Sequence, residues 1–281
     1  MKDLHIHTKY SDGEYDENEI LKRIKNAGIT EFAICDHDTI EGSKKISKIL
    51  KQQNSSLIFH SGVELTSRVF DIFGGVNVHL LARDFNYDEK GINDLVKEIS
   101  VLRKKKIQRM VDFIDKIYGI KFTDKEIEEI QKSTNSVGKP HFYKLLCKYG
   151  DFDRIEYYRN MDKLHSEDLR LDAIKVLELV HKGKGNVTLA HPKEVMREYN
   201  LSYKDIDKLV AYLKLFGLDG LETEHSLHTK EDIEEFKKIA KKYNLKESCG
   251  SDYHGENVKP DVFLGVCKKV NTEKNDLIKW N

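Results

Sequence analysis

Seven short apolar stretches punctuate this chain, and each ends in, or is followed at once by, histidine, aspartate or glutamate. They are Leu4–His7, Glu31–Cys35, Leu57–Leu65, Val76–Ala82, Val187–Ala190, Gly220–Thr223 and Lys246–Gly250. Amphipathic stretches of helical spacing lie between them, and that alternation is the signature of βα units around a parallel sheet. In a parallel barrel the carboxyl ends of the strands converge on one face, where active sites are built. The first strand would deliver His5, His7 and Asp12, and the second Asp36, His37 and Asp38 in "CDHD". Glu64 ends "GVE", His79 lies in "NVHLLA" and His191 in "LAHP". The last two strands would add Glu222, Glu224 and His225 in "LETEH", then Asp252 and His254 in "CGSDYH".

Helix ends are legible as well. Asp16 with Glu19 forms a capping-box pattern ahead of Ile20, Leu21 and Ile24, and Gly28 is placed to stop that helix. Further helices are expected over Ser43–Gln53, Tyr203–Phe216 and Thr229–Tyr243. From about Asp84 to Leu171 the rhythm changes: only helical spacing occurs, as in Val96, Ile99, Met110, Ile114 and Ile117, within highly charged runs such as "LRKKKIQR". Residues 84–171 are therefore expected to form a helical insertion, and 1–83 with 172–281 the barrel domain.

Bulk properties narrow the function. Of 281 residues 39% are hydrophobic and 34% charged, as expected of a folded, soluble protein, and 48 basic residues balance 48 acidic ones. A neutral balance argues against a broad basic surface for duplex nucleic acid, but not against a local anion site. No run approaches the roughly 20 apolar residues of a membrane span, and the N-terminus lacks the pattern of a secretory signal. Cys35, Cys147, Cys249 and Cys267 are scattered without a C-x-x-C pair, so a reduced, cytoplasmic setting is expected.

Each polar group has an ordinary explanation alone. Asp36 and Asp38 suit helix caps, Asp12 with Gly13 suits a turn, and a histidine after a strand is often a hydrogen-bonded core residue. Their coincidence at seven strand ends is harder to explain so. Burying that many titratable groups on one face is costly unless metal ions neutralise and coordinate them. Strand alternation also turns His5 and His7 to the same side, and Asp252 with His254 has the same spacing.

The motifs "DLHIHTKYSDG", "CDHDT", "GVELT", "NVHLLA", "LAHP" and "GSDYH" together resemble those of the PHP (polymerase and histidinol phosphatase) superfamily. Within it, the resemblance is to stand-alone metal-dependent phosphoesterases acting on nucleoside 3′,5′-bisphosphates and on the 5′ ends of short RNA. It implies a distorted (β/α)7 barrel with a helical insertion between strands four and five. It also implies two to three divalent ions, Mn, Fe or Zn. His5, His7, Glu64 and Asp252 would hold the first; a bridging Glu64 with His79 and His191 the second; Asp12, His37 and His254 the third. A metal-bridging hydroxide held by Glu64 and Asp252 would attack phosphorus.

"SVGKPHF" resembles the family's G-R-P-H segment, whose basic residue contacts substrate phosphate; here that residue is Lys139, with His141 beside it. A lysine offers a point charge where arginine offers a fork, and Pro140 alone would justify a helix start. His225 is a further candidate for facing the pocket, and Asp36 and Asp38 for orienting ligand histidines. Pro192 should keep His191 extended. The expected partner is a small phosphorylated substrate, with no duplex nucleic acid and no membrane. Histidinol-phosphate phosphatase is the alternative enzyme; a non-catalytic metal- or nucleotide-binding module is the alternative of another class.

Overall fold

The computed structural model describes residues 1–133, 137–161, 163–164 and 169–265. Among the described residues nine strands form two sheets. β1 (Lys2–Ile6), β2 (Glu31–Ile34) and β3 (Ile58–His60) pair in parallel in that order. The second sheet runs in the order β6 (Leu171–Asp172), β4 (Gly62–Val69), β5 (Val76–Arg83), β7 (Asn186–Leu189), β8 (Gly220–His225), β9 (Lys246–Gly250).

Two features depart from the expected parallel repeat. The stretch Leu57–Leu65 divides at Ser61, so that β3 pairs with β2 while β4 begins the other sheet. β5 runs antiparallel to both β4 and β7. A six-residue connection from Val69 to Val76 is far too short for a helical crossover, which needs a dozen or more residues, so a hairpin is the remaining solution.

Backbone bonds stitch the sheets together at both seams. On one side Asp252 N–H donates to His5 O (2.8 Å) and His7 N–H to Tyr253 O (2.9 Å). On the other, Asp38 N–H donates to Glu64 O (2.8 Å), and His37 bridges to Glu64. The seams thus fall on the residues singled out at the strand ends.

Helices cover the outside. α1 (Glu17–Asn26) is capped by the Asp16 carboxylate, which accepts from the N–H groups of Asn18 and Glu19. With α2 (Glu41–Gln52) it buries Ile20, Ile24 and Ile46 against Phe32 and Ile34. α7 (Ala173–Lys182), α8 (Pro192–Tyr199), α9 (Tyr203–Leu215) and α10 (Lys230–Lys242) enclose a larger core with β4, β5, β7 and β8. Each such side chain contributes about 1.5–3 kcal/mol on burial. Between β5 and β6 the described residues form α3 (Lys90–Tyr118), α4 (Asp124–Ser133), α5 (Lys139–Leu146) and α6 (Arg154–Met161). The start of α3 packs into the large core through Ile92, Leu95 and Ile99. Its far half joins a separate apolar cluster with Phe142, Leu146 and Tyr157.

Cys35 is a buried free thiol and Cys147 an exposed one, but Cys249 is disulfide-bonded; Cys267 lies outside the described residues. The cysteines therefore lend no support to a reduced compartment. Among the described residues no helix is long and apolar enough to cross a membrane.

Candidate metal centre

Glu64 lies fully buried at the centre of the site. Its Oε1 is 2.9 Å from both His79 Nδ1 and His191 Nε2. Its Oε2 is 3.0 Å from His37 Nδ1, 3.2 Å from His7 Nε2 and 3.3 Å from His5 Nε2. Five imidazoles from four segments, the first strand end supplying two, converge on one carboxylate. His5 and His7 do point the same way, with their Nε2 atoms 3.1 Å apart. Asp252 faces them through Oδ1, 3.2 Å from His7 Nε2 and 3.6 Å from His5 Nε2.

Asp12 stands at the rim, its side chain half exposed. It is 3.2 Å from His254 Nε2 and 3.8 Å from both His7 and His37. The loop reaches this position because the N–H groups of Ser11 and Gly13 both donate to Thr8 O (3.0 Å). A Cβ at Gly13 would come 2.7 Å from the His7 backbone, so the turn requires glycine. Possible ligand atoms fall into overlapping groups: His5, His7, Glu64 and Asp252; His7, Asp12, His37 and His254; His37, Glu64 and His79; and His5, Glu222 and His225.

The donor set fits a cation. Although Glu64 Oε2 has three ring nitrogens within 3.3 Å, it makes no hydrogen bond, nor does His37 Nδ1. Lone pairs aimed at a shared point, and not at one another, are what coordination needs. Buried polar atoms left without a partner would otherwise cost about 1–3 kcal/mol each. Electrostatics agree. Burial works to raise the Glu64 carboxyl, yet His37, His5 and His79 hold it well below the usual range. Burial works to lower His7, but Asp252 and Glu64 push it up to about 9. His37, where burial wins, falls to about 3.

Around these groups sit residues that set their geometry. Glu222 is fully buried. Its Oε1 is 3.1 Å from His5 Nδ1 and its Oε2 accepts the His191 N–H at 2.7 Å, so one carboxylate orients two candidate ligands. Asp36 touches no candidate ligand directly. It accepts from Thr8 N–H, Thr8 Oγ1 and Ser11 Oγ, and Ser11 Oγ lies 3.4 Å from His7 Nδ1. Asp38 differs from expectation. Its carboxylate accepts the Thr66 N–H (2.9 Å) and lines a cavity on the insertion side instead of orienting a histidine. His191 is not extended either. It has φ 22° and ψ 63°, so Pro192 excludes right-handed helix there without enforcing a strand. Asp38 (φ 52°) and Asp252 (φ 58°) are also left-handed. Strain of about 1–3 kcal/mol per such residue persists only where the surroundings over-determine it.

The cavity, about 70 Å³, is lined by Arg103, Lys106 and Arg170, with Asp38 its one acidic wall residue among those described. Burial lowers the Lys106 pKa, and the charges of Arg170, Lys139 and Arg103 add to that while Asp38 opposes it. Sequence reasoning missed Arg103 and Lys106, although three-residue spacing within "LRKKKIQR" puts them on one face of α3. Lys139 begins α5 near this cluster; Ser136 of its motif lies outside the described residues. His141 serves the helix start, its Nδ1 accepting the Gly138 N–H (3.1 Å). His225 is buried, its Nδ1 accepting the Leu227 N–H and its Nε2 lying 3.6 Å from Asp252 Oδ2.

A family model, the PHP domain, matches residues 3–222. The chain belongs to the PHP domain family. A 5′-3′ exoribonuclease of Haemophilus influenzae is 27% identical over 257 residues, covering 90% of this chain and 89% of that protein. A phosphoribosyl 1,2-cyclic phosphate 1,2-diphosphodiesterase of Eggerthella lenta is 24% identical, covering 91% and 95%. Among solved structures, a Bifidobacterium adolescentis chain assigned as a metal-dependent phosphoesterase superposes with a TM-score of 0.67 at 25% identity, covering 95% and 91%. An amidohydrolase of Chromobacterium violaceum with bound sulfate has a TM-score of 0.69 at 20% identity, covering 93% and 89%, and speaks to the fold alone. This PHP protein is a mixed α/β hydrolase of the metal-dependent phosphoesterase class.

Proposed function

We propose that the protein removes the 3′-phosphate from nucleoside 3′,5′-bisphosphates and, as a second activity, trims short RNA from its 5′ end. The observation that carries this is the cationic cavity beside the ligand cage. Asp38 and Thr66 line the cavity, while His37 precedes Asp38 in the chain and Thr66 pairs with His79. A substrate with one phosphate at the cage has a place for a second at Arg103, Lys106 and Arg170. The names of the Haemophilus influenzae relative, and of a 23% identical 5′-3′ exoribonuclease of Escherichia coli, support the RNA activity.

In this reading the strands form a (β/α)7 barrel, with 1–83 and 172–281 as one domain and 84–171 as the insertion. His5, His7, Glu64 and Asp252 hold one ion, Glu64 with His79 and His191 a second, and Asp12 with His37 and His254 a third. Their mixed nitrogen and oxygen donors suit Mn²⁺, Fe²⁺ or Zn²⁺. When bound, the ions supply a water of lowered pKa as nucleophile and neutralise phosphoryl charge. The protein's own part is to hold five imidazoles around Glu64, to fix His5 and His191 through Glu222, and to anchor the remote phosphate.

The test is phosphate release by the purified chain, loaded with Mn²⁺, from adenosine 3′,5′-bisphosphate, histidinol phosphate and a 5′-phosphorylated oligoribonucleotide. Preference for the bisphosphate is expected. Preference for histidinol phosphate overturns the substrate, and turnover of none of the three returns the chain to a binding module.

A further inference from the structure

Asp252 divides its two oxygens between different neighbours. Oδ1 faces His5, His7 and His254 at 3.2–3.6 Å. Oδ2 faces the Lys259 ammonium at 2.5 Å and His225 Nε2 at 3.6 Å. His225 is sealed in the interior, but the Lys259 side chain is 35% exposed while that of Asp252 is 5% exposed. Lys259 is therefore a partly exposed cation in direct contact with a buried candidate metal ligand. A lysine ammonium has three donors and one goes to Asp252.

Its position is built. Lys259 N–H donates to Gly255 O (2.9 Å) and Val262 N–H to Lys259 O (3.1 Å), which fold the segment after His254 into consecutive turns. Gly255 has φ 105°, and a Cβ there would come 2.4 Å from Glu14 Cβ. Glu14 in turn accepts from the backbone and side chain of Asn257, while its own N–H donates to His254 O (2.7 Å). Arg23 holds Glu256 at 2.7 Å. These bonds fasten the Lys259 segment to the loop that carries Asp12, so both rim groups share one frame. Arg103, Lys106 and Arg170 line a different cavity, with Asp38, which follows His37 in the chain.

We propose that Lys259 is a direct contact of the phosphoryl group being cleaved, using the donors not engaged by Asp252. The cationic cavity then serves a second phosphate and Lys259 the reacting one. This rests on phosphoester hydrolysis at the cage and not on which nucleotide is the substrate. No bond to Lys259 forms or breaks; the ammonium donates hydrogen bonds to a non-bridging oxygen.

The experiment compares wild type, K259M and K259R as full chains loaded with Mn²⁺. Metal content is measured by elemental analysis, inorganic phosphate affinity by calorimetry, and kcat and KM on p-nitrophenyl phosphate. Expected for K259M is an unchanged metal content with phosphate affinity weakened about 10- to 100-fold, the worth of hydrogen bonds to a charged group. K259R should restore part of it. Loss of metal with unaltered phosphate affinity per loaded site would overturn the proposal and make Lys259 a positioning residue for Asp252. Unaltered metal and phosphate binding would overturn it too. Wild type that binds phosphate yet cleaves no nucleotide would sink the proposed substrate and leave Lys259 to be judged on binding alone.

Discussion

Glu64→Gln keeps the shape of the central side chain and removes its charge. Because Glu64 is fully buried, solvent cannot replace what is lost. Oε1 meets two ring nitrogens at 2.9 Å and Oε2 three more at 3.0–3.3 Å, so either placement of the amide nitrogen sets a donor against imidazoles arranged for an acceptor. Breaking a buried ion pair by removing one partner costs about 3–5 kcal/mol. A unit-charge pair at ~4 Å and an effective dielectric of ~20 gives about 4 kcal/mol, in agreement. In the loaded protein the partner left behind is the dication, so this loss is read as metal affinity. It corresponds to a Kd weaker by roughly two to three and a half orders of magnitude. The assay is titration of chelated, metal-free protein with Mn²⁺ against a competing indicator, with circular dichroism to show that the variant folds. The set built on Asp12, His37 and His254 uses no Glu64 oxygen as a ligand and should account for the residual binding. A folded Glu64→Gln protein with wild-type affinity and full metal content would refute the reasoning.

Further predictions rest on other contacts. Glu222→Gln should weaken metal binding about 10- to 100-fold, the usual cost of losing a group that orients a ligand histidine, while activity per bound ion stays close to wild type; elemental analysis beside kinetics checks it. Lys106→Met should raise KM for adenosine 3′,5′-bisphosphate and leave KM for p-nitrophenyl phosphate unchanged, since only the first carries a second phosphate; equal effects on both would remove the cavity from substrate binding. Asp232 sets a pH dependence. Burial works to raise its carboxyl, but Lys193 at 2.7 Å, Tyr203 and Thr229 hold it at about 2. A folded pKa below the unfolded one gives stability that is complete above about pH 4 and lost as pH falls towards the folded value. The urea midpoint difference between wild type and D232N should therefore shrink from pH 4 to pH 2; a difference constant across that window would contradict it.

The candidate ligands were legible because titratable groups are expensive at the ends of apolar strands, and a run such as "NVHLLA" offers a histidine no cheap surface. Residues working at second hand were not. Glu222 was visible as a strand-end acid, but its partner His5 is 217 positions away, a distance in space that strand periodicity does not encode. Asp36 and Asp38 share one motif and looked equivalent. One bonds Thr8 and Ser11 while the other, at φ 52°, turns toward the insertion. Alternation on a strand says nothing about residues after the strand has ended, where φ decides. The helical pattern of the insertion was legible from periodicity, yet which of its many cations meet at a cavity depends on how α3 lies against the core.

The antiparallel β5 shows where the strand-end rule stops and what replaces it. A parallel repeat delivers one ligand per carboxyl end. His79 instead sits in the middle of an eight-residue strand, opposite Thr66 in the register, two positions beyond Glu64 on β4. Its ring reaches Glu64 Oε1 diagonally across the hairpin, a span within reach of a long side chain. That contact depends on register alone. Since side chains alternate with period two, a slip of one residue would turn His79 to the opposite face and remove a ligand candidate. The sheet gives the register several anchors. Val63, Leu65, Val69, Val76, Val78, Leu80 and Ala82 are buried along the pair, and β7 bonds the far side of β5 from Leu80 to Arg83. Packing that stabilises the hairpin therefore also places His79, so core substitutions at Val78 or Leu80 should lower metal affinity together with stability, whereas equivalent losses in the Phe142 cluster should lower stability alone.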